Sequence, residues 1–349
     1  VRKRGVHVLM RADVLMVLAS APAYVATREA LSVFSPQDLT PLRYLASAAL
    51  LGLYMFVRRQ RVRLTRRDMP RMLAVALCGY GGYGLLLNFG QATVPAGTTS
   101  LLLNISPVFA FVLGYFILVE RTTLRGYLGM GVAVLGVVVI TLGDSTATGF
   151  QGNTLLIVAA ALLLSIFLIV QQPLLARMPP VEVVFWGCLV GGIATLPTAR
   201  FDPLPAQVPA SVWLALTVLI VLGTAVAYAL WNVTLARTSV AEGGSLLLVI
   251  PIFSVLLGWA LLGEVPSMAA VLGGAAALMG VTMLSTATHA REQAGPGLLT
   301  GAIPIIAALP LVNALTGSIT IISPPVPPVP PAPQKTEVAA GASRGDRIG

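Results

Sequence analysis

The stretch LLNISPVFAFVLGYFILVE at residues 102–120 returns at residues 246–264 as LLLVIPIFSVLLGWALLGE, an offset of 144. The shift aligns Leu102 with Leu246, Pro107 with Pro251, Phe109 with Phe253, Gly114 with Gly258 and Glu120 with Glu264. The register then continues without a gap. Gly129 meets Gly273, Ala133 meets Ala277 and Gly136 meets Gly280, while upstream Gly79 meets Gly223 and Asn88 meets Asn232. Leucine matches arise easily in apolar sequence, whereas shared Pro, Gly, Asn and Glu do not. The chain reads as a duplication.

Composition says where such a duplication sits. Hydrophobic residues make up 56% of the 349 and charged residues only 10%, against roughly 45–50% and about 25% in a soluble domain. No Asp, Glu, Lys or Arg occurs in 72–119, 126–143, 145–176 or 203–236. Each block holds at least one run of about 20 apolar residues, enough to cross a hydrocarbon core. The pattern predicts an all-α polytopic membrane protein with ten spans: 14–32, 41–57, 72–91, 98–119, 126–142, 154–175, 181–198, 211–235, 243–263 and 266–287. Helices are required because lipid leaves no backbone group to be satisfied from outside, and the alternation of a barrel strand is absent.

The net charge of +9 does not point to nucleic acid, because the basic residues lie in short connectors and form no face with interleaved aromatics. They act as topology signals. With the N-terminus cytoplasmic, and counting up to Arg291, sixteen Lys and Arg fall inside, among them Arg2, Lys3, Arg4 and the run from Arg58 to Arg71, and only Arg28, Arg43 and Arg200 fall outside. The first 27 residues resemble a secretory signal peptide, but an uncleaved first helix explains the same charges. Five spans per copy make the copies inverted, as in secondary transporters. The copies are 14–142 and 154–287. Residues 288–349 form a C-terminal tail, with an apolar segment at 298–320 and a Pro-rich stretch at 324–333 that favours polyproline II.

These residues resemble the EamA-type carriers of the drug/metabolite transporter superfamily. Ser100 through Pro107 to Glu120 and Arg121 is similar to that family's fourth helix, Gly129 and Gly136 follow as they do there, and the pattern recurs from Ser245 through Pro251 and Glu264 to Gly280. Pro36 and Arg43 resemble the family's entry into helix two. The resemblance covers roughly 14–287. It implies a multi-pass plasma-membrane carrier that moves a small metabolite, amino-acid-like or drug-like, in the export direction.

Several residues could serve such a carrier. Pro107 and Pro251 lack an N–H in mid-span and predict kinked helices, a sequence pointer to a midplane site, and Pro22 predicts a break in span one. Asn88 and Asn232 are amides in hydrocarbon, which face another helix or a cavity. Tyr24, Tyr83, Tyr228 and Trp231 offer amphipathic rings, and Asn104 and Ser245, polar positions in spans four and nine, complete the candidate substrate-binding set. Glu29 and Arg43 are expected to form an ion pair near the outer surface, the alternative being an Arg43 that attracts anionic cargo. Glu120 and Glu264 are expected to snorkel or to pair with an arginine. Gly79 to Gly84 matches GxGxxG, but without a preceding strand and a following acid it reads as close helix packing. Cys78 and Cys188, inside spans, are assigned to packing.

A membrane-embedded enzyme is the rival class, and a passive pore for small solutes is another. Both histidines, His7 and His289, fall outside the spans, and no carboxylate lies in mid-span. Metal sites built on His and most acid–base mechanisms therefore lack their groups. No catalytic residue, metal or cofactor is assigned. The expected partners are a small-molecule substrate and the lipid bilayer, with a homodimer left open and no nucleic acid.

Overall fold

The computed structural model describes the backbone of residues 2–118, 123–148, 152–235 and 249–293, and the side chains of 15–113, 123–143, 152–234 and 249–287. All of these lie within the unit Val1–Gly317. Glu120, Ser245, the apolar segment 298–320 and the Pro-rich stretch 324–333 lie outside the described residues.

All regular structure among the described residues is helical. The elements are α1 (Arg2–Ala30), α2 (Pro36–Val57), α3 (Met69–Ala76), α4 (Gly82–Gln91), α5 (Ala96–Leu103), α6 (Ser106–Leu118), α7 (Leu124–Thr148), α8 (Gly152–Leu175), α9 (Pro180–Thr195), α10 (Ala210–Ile220), α11 (Ala227–Leu235), α12 (Ile250–Leu262) and α13 (Met268–Gln293). Two π-helical segments, Leu77–Gly81 and Val221–Val226, join α3 to α4 and α10 to α11. Eight helical stretches, from Pro36–Val57 to Met268–Ala287, are long and apolar enough to cross a membrane, and α12 is apolar but shorter. Their outer faces carry bare apolar side chains, such as Phe56 at 81% exposure and Leu135 at 63%. Water would penalise that surface and acyl chains would not.

Local sequence explains the helix ends. Ser35 caps α2: its hydroxyl accepts from the Asp38 N–H at 3.3 Å and donates to the Asp38 carboxylate at 2.8 Å, with Pro36 preset in the first turn. α2 thus begins five residues before the expected 41. At the far end of α12, Gly263 takes φ +67°, and the Glu264 N–H closes back on the Gly258 carbonyl at 3.2 Å. Only glycine adopts that left-handed turn without strain, so the turn fixes where Glu264 emerges.

Three expectations change. α1 runs through Pro22 without interruption. Span four is two helices, not one kinked helix: α5 stops at Leu103, a tight turn at Asn104 and Ile105 follows, and Pro107 occupies the first turn of α6. Pro251 stands at the equivalent place in α12. In a first turn the missing N–H has no partner to lose, so each proline starts a helix where it was expected to bend one.

Small residues set the packing between α7 and α13, which run antiparallel. A Cβ at Gly136 would lie 2.4 Å from the Gly273 carbonyl oxygen, and one at Gly280 would lie 2.4 Å from that of Gly129. Gly129 therefore meets Gly280, the counterpart of Gly136, and Gly136 meets Gly273, the counterpart of Gly129. A two-fold axis through the pair would produce this exchange. Backbones this close gain dispersion contact in a solvent that offers helices no hydrophobic drive to associate.

Candidate functional site

The GxGxxG stretch builds an aromatic wall. A Cβ at Gly79 would meet Phe167 at 2.1 Å, and one at Gly84 would meet Tyr44 at 2.5 Å. The space these glycines leave is filled by rings: Tyr80 lies 5.6 Å from both Tyr44 and Phe167, centroid to centroid, and 5.0 Å from Tyr228. The glycines serve packing, as their context implied. Cys188 is buried in the same cluster.

Beside this wall is a cavity of about 110 Å³. Tyr24 and Thr27 of α1, Arg43 of α2, Tyr83 and Leu87 of α4, Phe167 of α8, and Gly223, Tyr228 and Trp231 around α11 contribute to its lining. Four of the expected residues, Tyr24, Tyr83, Tyr228 and Trp231, are thus brought together. Asn88, Asn104 and Asn232 are not among the lining residues. Asn88 Nδ2 donates to Thr40 Oγ1 at 2.8 Å and ties α4 to α2, and Asn104 Nδ2 donates to the Ser100 carbonyl at 2.9 Å across the break in span four. Asn232 is fully buried, and neither amide atom has a partner among the described residues.

Arg43 forms no ion pair with Glu29, because it lies two turns inside α2 and faces the cavity. Its Nε donates to Thr224 Oγ1 at 2.7 Å and its Nη2 to the Gly223 carbonyl at 3.4 Å. Its guanidinium carbon also stands 5.2 Å from the centroid of the Tyr44 ring. Both hydrogen-bond acceptors belong to the π-helical segment Val221–Val226, where the Thr224 hydroxyl donates to the Leu219 carbonyl five residues back at 2.8 Å. One turn along α2, the Ser47 hydroxyl lies 2.8 Å from its own chain's Arg43 carbonyl and 3.1 Å from the Ile220 carbonyl, extending the seam. The π-helix is what turns Gly223 and Thr224 toward α2; such segments are frequent at functional sites. The sequence did hold a signal for the depth of Arg43, the Ser-Pro-x-Asp start at Ser35, which places it inside the helix.

Two polar ties flank the helices. Arg28 pairs with Glu264 at 3.1 Å and donates to the Gln91 and Ala92 carbonyls, while the other Glu264 oxygen accepts the Ala96 N–H at 2.8 Å. Gln91 Nε2 in turn donates to the Tyr24 carbonyl at 2.5 Å. The ends of α1, α4 and α12 and the start of α5 are thereby joined beside the cavity, and Glu264 finds the arginine expected for it. A second pair, Asp68 with Arg177 at 3.3 Å, joins the start of α3 to the end of α8. No group of His, Cys, Asp or Glu among the described residues could hold a metal ion.

Comparison with known proteins assigns this architecture. A solved crystal structure shares the fold at a TM-score of 0.60 over 83% of this chain and 99% of its own, at 20% identity. The chain is 32% identical over 295 residues, 81% of its length and 96% of the relative's, to a probable terminal-alkyne amino-acid exporter of Streptantibioticus cattleyicolor. It is 27% identical to the uncharacterized transporter YdfC of Bacillus subtilis, covering 80% of this chain and 91% of that one. The model of the EamA-like transporter family matches twice, at residues 10–142 and 153–286. A helical membrane protein with an aromatic-lined cavity, matched over most of its length by that model, belongs to the EamA-like transporter family and is a membrane transporter of small molecules.

Proposed function

We propose that this transporter is a plasma-membrane exporter of small amino-acid-like compounds that works by alternating access and catalyses no chemical reaction. In this reading ten helices cross the membrane as two inverted halves, 14–142 and 154–287, with both ends of the unit cytoplasmic. The observation that carries the reading is the cavity, because α1, α2, α4 and α8 meet α11 there and both proposed halves contribute walls. The exporter relative supports the direction and the kind of cargo. The two π-helical segments begin at Leu77 and Val221, 144 residues apart, which supports inverted halves built alike.

Tyr24, Tyr83, Tyr228 and Trp231 are the cargo contacts in this reading. Asn88 and Asn104 hold helices, and Pro107 and Pro251 start the half-helices that let spans four and nine rearrange. Opening toward the outside requires breaking the Arg28–Glu264 tie, and opening inward requires loosening Asp68–Arg177. Saturable, trans-stimulated flux of amino acids in proteoliposomes is the expected result, and linear flux would indicate a pore. For topology, single cysteines at Arg61 and Gln207, in a background lacking Cys78 and Cys188, are to be treated with an impermeant thiol reagent in intact cells. Labelling at 207 and protection at 61 is expected, and the reverse pattern would invert the orientation.

A further inference from the structure

We propose that Arg43 is the anion-binding residue of the cavity and receives the carboxylate of the cargo. This rests on the carrier reading above and adds the chemical group that the site selects. Arg43 is only 4% exposed, yet it forms neither of the two ion pairs found among the described residues. A lone charge held in a membrane-spanning segment is costly, and residues of this kind either pair or mark a substrate pathway. Its neutral partners account for one N–H of Nε and one of Nη2. Both N–H groups of Nη1 and one of Nη2 are left without a protein acceptor among the described residues. The guanidinium fork matches a carboxylate with two parallel hydrogen bonds.

The surroundings fix what else the ligand must be. Among the sixteen lining residues Arg43 carries the only charge, and no carboxylate is present to seat an ammonium group. Tyr24, Tyr83, Tyr228 and Trp231 supply aromatic faces, and Leu87 and Phe167 supply apolar ones. A small molecule with one acidic end and an apolar body satisfies each group. An amine without an acid leaves the guanidinium unpaired. The residue 144 positions on is Gly187, where a Cβ would lie 2.3 Å from the Tyr80 ring, so the second half supplies no matching charge. The site accepts its anion in one orientation.

The test is calorimetric titration of the full chain in neutral maltoside micelles with four probes: L-norvaline, pentanoate, norvaline methyl ester and butylamine. Norvaline and pentanoate are expected to bind, and the ester and the amine to bind at least about tenfold more weakly. Arg43→Gln should weaken norvaline by about 10- to 100-fold and erase its advantage over the ester, while Arg43→Lys should restore part of both. If Arg43→Gln does not fold, the four wild-type titrations decide alone. Equal affinity for norvaline and its ester, no binding of either acid at millimolar concentration, or norvaline binding untouched in folded Arg43→Gln overturns the proposal. Displacement of norvaline by phosphatidylglycerol also overturns it, by assigning the anion to lipid. Saturable butylamine counterflow in proteoliposomes, unaffected by Arg43→Gln, would remove the acid site and leave the carrier reading standing.

Discussion

Asp38 and Glu182 stand 144 residues apart, each in the first turn of its helix two residues after a proline. Each takes backbone N–H groups from the loop that follows the other's helix. Asp38 of α2 accepts from Arg200, Phe201 and Asp202 beyond α9, at 2.8, 2.9 and 3.3 Å, and Glu182 of α9 accepts from Arg63 and Leu64 beyond α2, at 2.7 and 3.0 Å. The same backbone device is used at both ends, in different settings. Asp38 is half-buried, whereas Glu182 is fully buried and its second oxygen has no partner among the described residues. The asparagines diverge likewise. Asn88 is bonded to Thr40, and the residue corresponding to Thr40 is Val184, which offers Asn232 no hydroxyl. Features that position backbone recur between the two stretches, and features that carry polar chemistry differ.

The hardest test of this likeness is the α7–α13 contact. Because Gly136 and Gly280 occupy equivalent places against carbonyl oxygens, Gly136→Leu and Gly280→Leu should each cost about 3 kcal/mol or more and lose folded protein to a similar degree. Fluorescence-detected size-exclusion chromatography after detergent extraction reads this. Gly131, with nothing within 4 Å of its Cβ position, is the control that should tolerate Leu. A large loss at one glycine and none at the other would break the equivalence.

The acids should separate where the glycines match. Glu182→Ala strands two partly buried backbone N–H groups and empties a fully buried place, and should cost about 2–3 kcal/mol, against about 1 kcal/mol for Asp38→Ala, whose exposed loop can turn to water. Thermal unfolding in detergent should therefore show the larger drop for Glu182→Ala, and equal drops would refute the burial argument. The smallest contrast lies between the asparagines. Asn88→Leu leaves the Thr40 hydroxyl unpaired toward α4 and should cost about 1–2 kcal/mol, whereas Asn232→Leu removes two unsatisfied atoms and should change stability by less than about 0.5 kcal/mol or improve it. A large loss for Asn232→Leu would mean that its amide is used.

Much of the frame was legible from periodicity and composition, since uncharged runs of membrane length need only counting. The resemblance carried by Pro107, Glu120 and their counterparts led to the family, and the glycines of the α7–α13 contact were visible as matched pairs. The site was legible only in part. Of the aromatic candidates, Tyr83, Tyr228 and Trp231, in the helices of the repeated Asn, line the cavity together with Tyr24 of α1. The amides themselves were misleading, because composition shows that a polar group needs a partner and not which helix supplies it. Arg43 was placed too near the surface, since hydropathy starts a span at the first apolar run and passes over a polar first turn such as Ser35 to Asp38. The π-helical segments had no sequence signal beyond the shared Gly79 and Gly223, because an i→i+5 bond depends on which neighbours approach.

In the proposed reading of two inverted halves, the reciprocal contact of Gly129 with Gly280 and of Gly136 with Gly273 means that one half already carries both sides of the joint. A separate copy of that half, inserted the other way up, would meet its twin through the same face, as any isologous pair does. On that reading, tethering the two halves in one polypeptide replaces a concentration-dependent encounter with an intramolecular one. It also removes the obligation to be identical. An arginine at position 43 no longer implies an arginine at 187, and a pair of interchangeable subunits gives way to a single molecule with a distinct front and back.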